Sequence, residues 1–415
     1  MSDKTRTMTT TYEALKARRL AIDMTRGKPA ADQLDLSQAL IDDAAAAGYL
    51  SRDGIDCRNY GHGLGLPEAR ELGGQLLGLD PSQVVVAGNS SLELMHDAIA
   101  FAMLRGINSG EPWRLADEVA FLCPVPGYDR HFAICEALGI RMIAVPMNDD
   151  GPDMARVEAL VAADPAIKGM WCVPLYSNPT GAIYSPEVVR RLARMPAAAS
   201  DFRLFWDDAY RFHHLTEERY ASPDIIGECV RAGHPDRALM FASTSKVTLA
   251  GAGLALFASS PRNVDWWQRC VSVRTIGPDK MNQLRHVRYL RDRATLAGLM
   301  DRHRAILQPK FAALEASLQA LLGEVADVSW TKPKGGYFVS LFTPDGYAKR
   351  TVELAAQAGV VLTPAGAAFP YGDDPRDRHL RIAPSCPSPA QIEQAAQVIG
   401  LSLLRALDEG VRRRA

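Results

Sequence analysis

The sequence predicts an α/β fold, in which a large domain built on a mostly parallel seven-stranded sheet flanked by helices joins a smaller α+β domain. Three observations predict it. The chain has 415 residues, well past the roughly 250–300 at which single cores stop growing. Between about residues 56 and 289, short apolar runs alternate with longer helical segments, the pattern of strands joined by crossover helices. Beyond Asp279 that alternation stops and a long helical stretch takes over.

Taken in order, Tyr12 to Ile22 is amphipathic, Thr25-Arg26-Gly27-Lys28-Pro29 is turn-like, and Leu36 to Ala47 is again helical in pattern. The seven apolar runs are Val84-Val85-Val86, Glu118 to Cys123, Arg141 to Val145, Gly169 to Val173, Arg203 to Trp206, Ala238 to Ala242 and Leu254 to Ala258. Met281 to about Leu322 reads as one helical stretch, with no Gly or Pro until Gly298 and Pro309. Two strand-like pieces follow, Gly336 to Phe342 and His379 to Ala383, and a last helix starts at Pro389. The expected division is residues 56–289 for the large domain and 290–415 for the small one, with residues 1–55 joining the small domain.

Composition narrows the function classes. Apolar residues make up 47% and charged residues 23%, and 47 basic against 48 acidic side chains leave a formal charge of -1. No electrostatic footprint for nucleic acid or an anionic membrane follows from that balance. The N-terminus lacks the apolar core of a signal peptide, and no run approaches the roughly 18 apolar residues of a membrane span. Seven scattered cysteines without a CxxC pair fit reduced thiols. The expectation is a cytoplasmic protein.

In open α/β sheets, ligands sit beyond the carboxyl ends of the strands. Polar clusters stand there: Gly88-Asn89-Ser90-Ser91, Tyr176-Ser177-Asn178-Pro179-Thr180-Gly181, Asp207-Asp208-Ala209-Tyr210 and Ser243-Thr244-Ser245-Lys246. The last cluster reads two ways. Ser-x-x-Lys places a nucleophile and its base in penicillin-binding proteins and serine β-lactamases. Here, however, Tyr176-Ser177-Asn178 precedes the motif instead of following it, and there is no Lys-Thr-Gly. A metal centre on Asp207, Asp208, His213 and His214 lacks a ligand frame such as HExxH.

A lysine holding pyridoxal phosphate as a Schiff base accounts for more of the residues. Lys246 supplies the amine. Asp207 is placed to keep the pyridine nitrogen protonated. Tyr210 and Asn178 are donors for the ring hydroxyl, and Gly88, Asn89 and Ser90, opening a helix, offer backbone N–H groups to the phosphate.

These residues resemble the fold-type I pyridoxal-phosphate aminotransferases of class I over nearly the whole chain. Asn178-Pro179-Thr180-Gly181, Asp207-x-Ala209-Tyr210, Ser243-x-x-Lys246 and Arg381 occur in the family's order. Met24 to Pro29 and Thr275 to Lys280 are most similar to a divergent bacterial subgroup of aspartate aminotransferases. The resemblance implies an enzyme moving the amino group of L-aspartate to 2-oxoglutarate. Within it, Lys246 is Schiff-base lysine and proton shuttle, Arg381 grips the substrate α-carboxylate, and Ser243 helps hold the phosphate. Gly27 belongs to a loop covering the substrate. Tyr60, before Gly65-Leu66-Pro67-Glu68-Ala69-Arg70, reaches the phosphate of a neighbouring subunit, which implies a homodimer with shared sites. Arg274 is the first candidate for the distal carboxylate, Lys280 the second. Two departures stand out: Leu254 replaces the usual phosphate-binding arginine, and Val125 replaces the stacking ring, leaving Tyr128 as its substitute. The alternatives are an aminotransferase for another amino acid, a fold-type I lyase and, ranked below them, a non-catalytic sensor of the same fold.

Overall fold

A computed structural model of the chain describes residues 3–42 and 48–414. Its central element is an eight-stranded sheet. The strands are β1 (Val84–Val86), β2 (Ala120–Val125), β3 (Arg141–Asn148), β4 (Gly151–Pro152), β5 (Ile167–Cys172), β6 (Arg203–Asp207), β7 (Ala238–Ser243) and β8 (Ala255–Ala258). Their spatial order is β1-β8-β7-β6-β5-β2-β3-β4. β3, β2, β5, β6 and β7 pair in parallel, while β8 runs antiparallel to both β7 and β1. All seven predicted runs are strands of this sheet. The two-residue β4, folding back antiparallel on β3, is the addition.

Burial on both faces is what made these strands legible. β1, β6, β7 and β8 are almost wholly buried, as expected for a sheet covered by helices on each side. Side chains alternate between two cores: Leu204 and Trp206 join one, Phe205 joins the other. Phe205 stacks on Phe241 at 6.1 Å and Phe241 meets Phe257 at 5.6 Å, an aromatic row running across β6, β7 and β8.

The C-terminal part contributes a three-stranded antiparallel sheet of β9 (Ser329–Trp330), β10 (Val339–Phe342) and β11 (His379–Ile382). The N-terminal helix α1 (Asp3–Ala17) sends Tyr12 and Leu15 into a core shared with the C-terminal helix α6 (Pro389–Arg414). Ile22 and Asp23 pair in parallel with Val360 and Val361.

Two helical expectations change. The stretch from Met281 to Leu322 is broken into α4 (Lys280–Leu290) and α5 (Arg293–Leu322). Arg291 takes a positive φ of 51° and Asp292 caps the next helix by accepting from the Thr295 amide at 2.7 Å. An Asp-x-x-Thr start is a stop-and-restart signal that needs no glycine. The stretch from Leu36 to Ala47 is helical at Ala39–Asp42, after a short helix at Ala31–Asp35; residues 43–47 lie outside the described residues.

Burial also sets a pH dependence. His213, His286 and His379 are buried, and desolvation pushes them from an ordinary 6.5 to about 3, about 4 and about 3. An unfolded chain protonates these rings near 6.5, whereas the folded one does so only near 3 to 4. Stability from this source is therefore complete above 6.5 and falls as pH drops towards 3. The urea midpoint should be lower at about pH 5 than at about pH 7.5, and His379→Gln should narrow that gap.

Candidate active site

The site lies at the carboxyl ends of the parallel strands, around the point where the order reverses between β2 and β5. A cleft of about 570 Å³ opens there. Gly27, Asn89, Ser90, Tyr128, Asn178, Asp207, Tyr210, Ser243, Lys246 and Arg381 all line it. Residues separated by hundreds of positions thus converge because most follow parallel strands of one sheet, while Gly27 and Arg381 come in from the N-terminal loop and the three-stranded sheet.

Asp207 ends β6 and is only 3% exposed. One oxygen, Oδ2, is 3.0 Å from His131 Nε2, while Oδ1 is buried without a partner. His131 sits in the first turn of α3 (Asp129–Ala137), the helix after β2, and lies flat on Trp171 at 4.1 Å. An unpartnered buried carboxylate oxygen facing a cleft marks a place for a donor that the protein does not supply.

Lys246 follows β7. Burial pushes its ammonium below the ordinary lysine range, against the pull of Asp207, so more of it is present as free amine. Its Nζ lies 5.2 Å from the centre of the Tyr210 ring. The Tyr128 phenol is pushed up to about 12 by burial and then by Asp207 and Asp129. The Tyr210 phenol is also raised, by burial first and then by Tyr128 and Asp207. Both stay protonated near neutral pH and can donate. The Asn178 Oδ1 is a second buried oxygen without a partner.

An anion cradle forms where β1 meets helix α2 (Ser91–Arg105). Ser90 caps that helix by accepting from the Glu93 amide at 3.4 Å. Ser245 Oγ donates to the Asn89 carbonyl at 2.6 Å, and Asn89 Nδ2 donates to Gly251 O at 2.9 Å. Gly253 lets these segments meet: a Cβ there would lie 2.7 Å from Ser245 N. Free amides at a helix start favour phosphate. Gly88 stands behind this cradle, its carbonyl accepting from Ala255 N at 2.7 Å. Leu254 is core-packed and offers no charge.

Arg381, on β11, enters from the C-terminal side. Its guanidinium donates to Asp129 at 2.7 Å and to Thr363 Oγ1 at 3.3 Å. The segment at Gly27 closes the same wall: a Cβ there would sit 2.7 Å from the Phe338 ring.

The aspartate amino-transferase family pattern matches residues 1–412. The chain belongs to that family. An aspartate aminotransferase of Corynebacterium glutamicum is 44% identical over 399 residues, covering 96% of this chain and 92% of that protein. A Mycolicibacterium smegmatis protein named only as an aminotransferase is 50% identical over 404 residues, covering 96% and 94%. The crystal structure of a C. glutamicum aspartate transaminase superposes with a TM-score of 0.95 at 43% identity, covering 98% and 96% of the two chains. The protein is an aminotransferase of fold type I with pyridoxal phosphate as its cofactor. The site fits that group, with an amine of lowered pKa at Lys246, an unpartnered oxygen at Asp207 and a helix start at Ser90.

Besides Gly88, three expected residues do not line the cleft of their own chain: Tyr60, Arg274 and Lys280. Tyr60 is 79% exposed on a surface loop. Arg274 is committed to Glu93 and, at 2.8 Å, to Asp97, acids spaced one turn apart on α2. Lys280, the second candidate, donates to Gly61 O at 3.2 Å. The reading of the sequence missed His131, Asp129, Ser245 and Thr363. His131 carried a signal, three residues after Tyr128 at a helix start that follows a strand.

In His131→Phe the ring can still lie on Trp171 but no longer reaches Asp207 with a donor. Losing that charge-assisted bond should weaken cofactor affinity about tenfold, read by titrating the cofactor-free enzyme with pyridoxal phosphate. Unchanged affinity would mean that Asp207 is held without His131.

Proposed function

We propose that this enzyme transfers the amino group of L-aspartate to 2-oxoglutarate, giving oxaloacetate and L-glutamate, in the cytoplasm. The observation that carries the dicarboxylate preference is the charge of the cleft wall. Besides Arg381, Arg26, Lys28 and Arg130 line it, and none of the three stands in an ion pair among the described residues. A substrate with two carboxylates can use both sets of cations. The relatives named for aspartate, at 44% and 43% identity, support the same choice.

Pyridoxal phosphate supplies the electron sink for bond breaking at the substrate Cα. In this reading, Lys246 would hold the cofactor through its amine and its Nζ would serve as base and acid for the Cα proton. Asp207 would keep the ring nitrogen protonated, Asn178 and Tyr210 would act as donors to the ring hydroxyl, and Tyr128 would flank the ring. Asn89, Ser90, Ser243 and the start of α2 would hold the phosphate in place of the missing arginine. Arg381 grips the α-carboxylate, and the loop at Gly27 keeps water out.

We further propose a homodimer. The loops bearing Tyr60 and Arg274 pack together, with Gly277 against Gly61. They leave Tyr60, Val273 and Ile276 exposed at 79%, 71% and 66%, a patch of the kind that marks an interface. Across it, Tyr60 and the Arg274 segment reach the neighbouring cleft. Ile276→Asp should shift sedimentation towards the single-chain mass and lower activity with it; a single-chain mass for the unmodified holoenzyme would exclude the dimer.

The deciding experiment is an absorbance spectrum. L-Aspartate alone should move the visible cofactor band to shorter wavelength, and 2-oxoglutarate should restore it. Lys246→Ala should show neither change and no turnover. A band that ignores aspartate but answers another amino acid would discard the substrate and keep the class.

A further inference from the structure

Arg381, read above as the grip for the substrate α-carboxylate, already holds a carboxylate of its own chain. Its Nη1 donates to Asp129 Oδ1 at 2.7 Å, its Nη2 donates to Thr363 Oγ1 at 3.3 Å, and its Nε is buried with no partner. The Arg381 side chain is 7% exposed, whereas that of Asp129 is 32% exposed. Both residues line the cleft, so a carboxylate that enters it meets Arg381 already paired with Asp129.

We propose that Asp129 is a built-in stand-in for the substrate carboxylate, displaced each time an amino acid or oxo acid binds. The proposal rests on the reading of Arg381 as the α-carboxylate grip. A guanidinium this deeply buried is costly to leave unpaired, so an empty site needs an internal counter-charge. Asp129 supplies it and holds the fork in the orientation a carboxylate requires. Binding then exchanges one carboxylate for another, and the net gain from the α-carboxylate is small. Discrimination falls instead on the rest of the substrate, which is how a competing internal contact sharpens specificity.

The displaced side chain has somewhere to go. Asp129 is the first residue of α3, where free amides and the helix dipole favour a negative charge. The exchange is also felt by the covering loop. The Thr363 hydroxyl that accepts from Arg381 donates to the Thr25 carbonyl at 2.9 Å, two residues before Gly27. One hydroxyl thus ties the state of the guanidinium to the segment that closes the cleft.

The test is steady-state kinetics of the holoenzyme carrying Asp129→Asn or Asp129→Ser. Both remove the competing charge; Asn keeps the side-chain oxygen and Ser is compatible with a helix start. The KM for L-aspartate and for L-alanine should fall about five- to tenfold in both variants, with the larger change in KM rather than kcat. Succinate, which binds without reacting, should also bind more tightly, read from its effect on the cofactor spectrum. Raised or unchanged KM in both variants, with unfolding midpoints like those of the parent, would overturn the stand-in and leave Asp129 as a support for Arg381. Arg381→Lys separates the two ideas. If it leaves KM for every amino acid unchanged, the reading of Arg381 is the one that fails.

Discussion

A carboxylate buried at the end of a central strand is the constraint around which this cleft is organised. Taking Asp207 out of water costs several kcal/mol unless partners replace the lost hydration. Among the described residues only one of its oxygens has a partner, and that partner, His131, is itself fixed by lying on Trp171. The aromatic floor, the helix after β2 and the strand β6 must all keep their places for this pair to persist. The attraction of Asp207 opposes the desolvation of Lys246, so the same charge reaches the amine on the neighbouring strand. Geometry and electrostatics here have one source.

The opposite wall is made by distant parts of the chain. β11 brings Arg381, Val360 and Val361 hold Ile22 and Asp23, and Ala383 N donates to Met24 O at 3.0 Å. Lys310, buried inside α5, donates to Ser385 O at 2.9 Å, and Ser385 Oγ donates to Lys28 O at 2.9 Å. The loop through Gly27 is therefore tied at both ends to the C-terminal part of the molecule, while its middle rests on Phe338. A loop held this way forms a wall of defined shape, and its charged residues project from a fixed base.

Much of this was legible in the sequence, for physical reasons that differ by element. Strands buried on both faces read as continuous apolar runs, so Val84-Val85-Val86 and Ala238 to Ala242 announced themselves. Polar residues directly after such runs located the cleft, which is why Asp207, Asn178 and Lys246 were found together. The break at Arg291 was hidden because the usual punctuation, glycine or proline, is absent and a capping aspartate does the work. His131 and Asp129 were hidden for another reason. Each acts through a side chain contributed by a strand far away in sequence, Asp207 in one case and Arg381 in the other; a helix start after a strand marks the position of His131, but local pattern carries no trace of either pairing. Arg274 illustrates the converse, since a charge in a suggestive segment is claimed by Glu93 and Asp97 on a helix that local reading had no reason to link to it.

The tie between Thr25 and Thr363 has a consequence for the birth of the molecule. Those residues are 338 positions apart. At the usual pace of synthesis, the earlier one waits roughly a quarter of a minute to just over a minute for the later one to be made. Late in that interval the parallel sheet, complete in sequence at Ala258, can assemble from residues already made, while Tyr12, Leu15, Ile22 and Met24 still have no C-terminal surface to cover them. Residues made before the sheet are thus among the last to reach their final neighbours, and their apolar side chains stay uncovered during that wait.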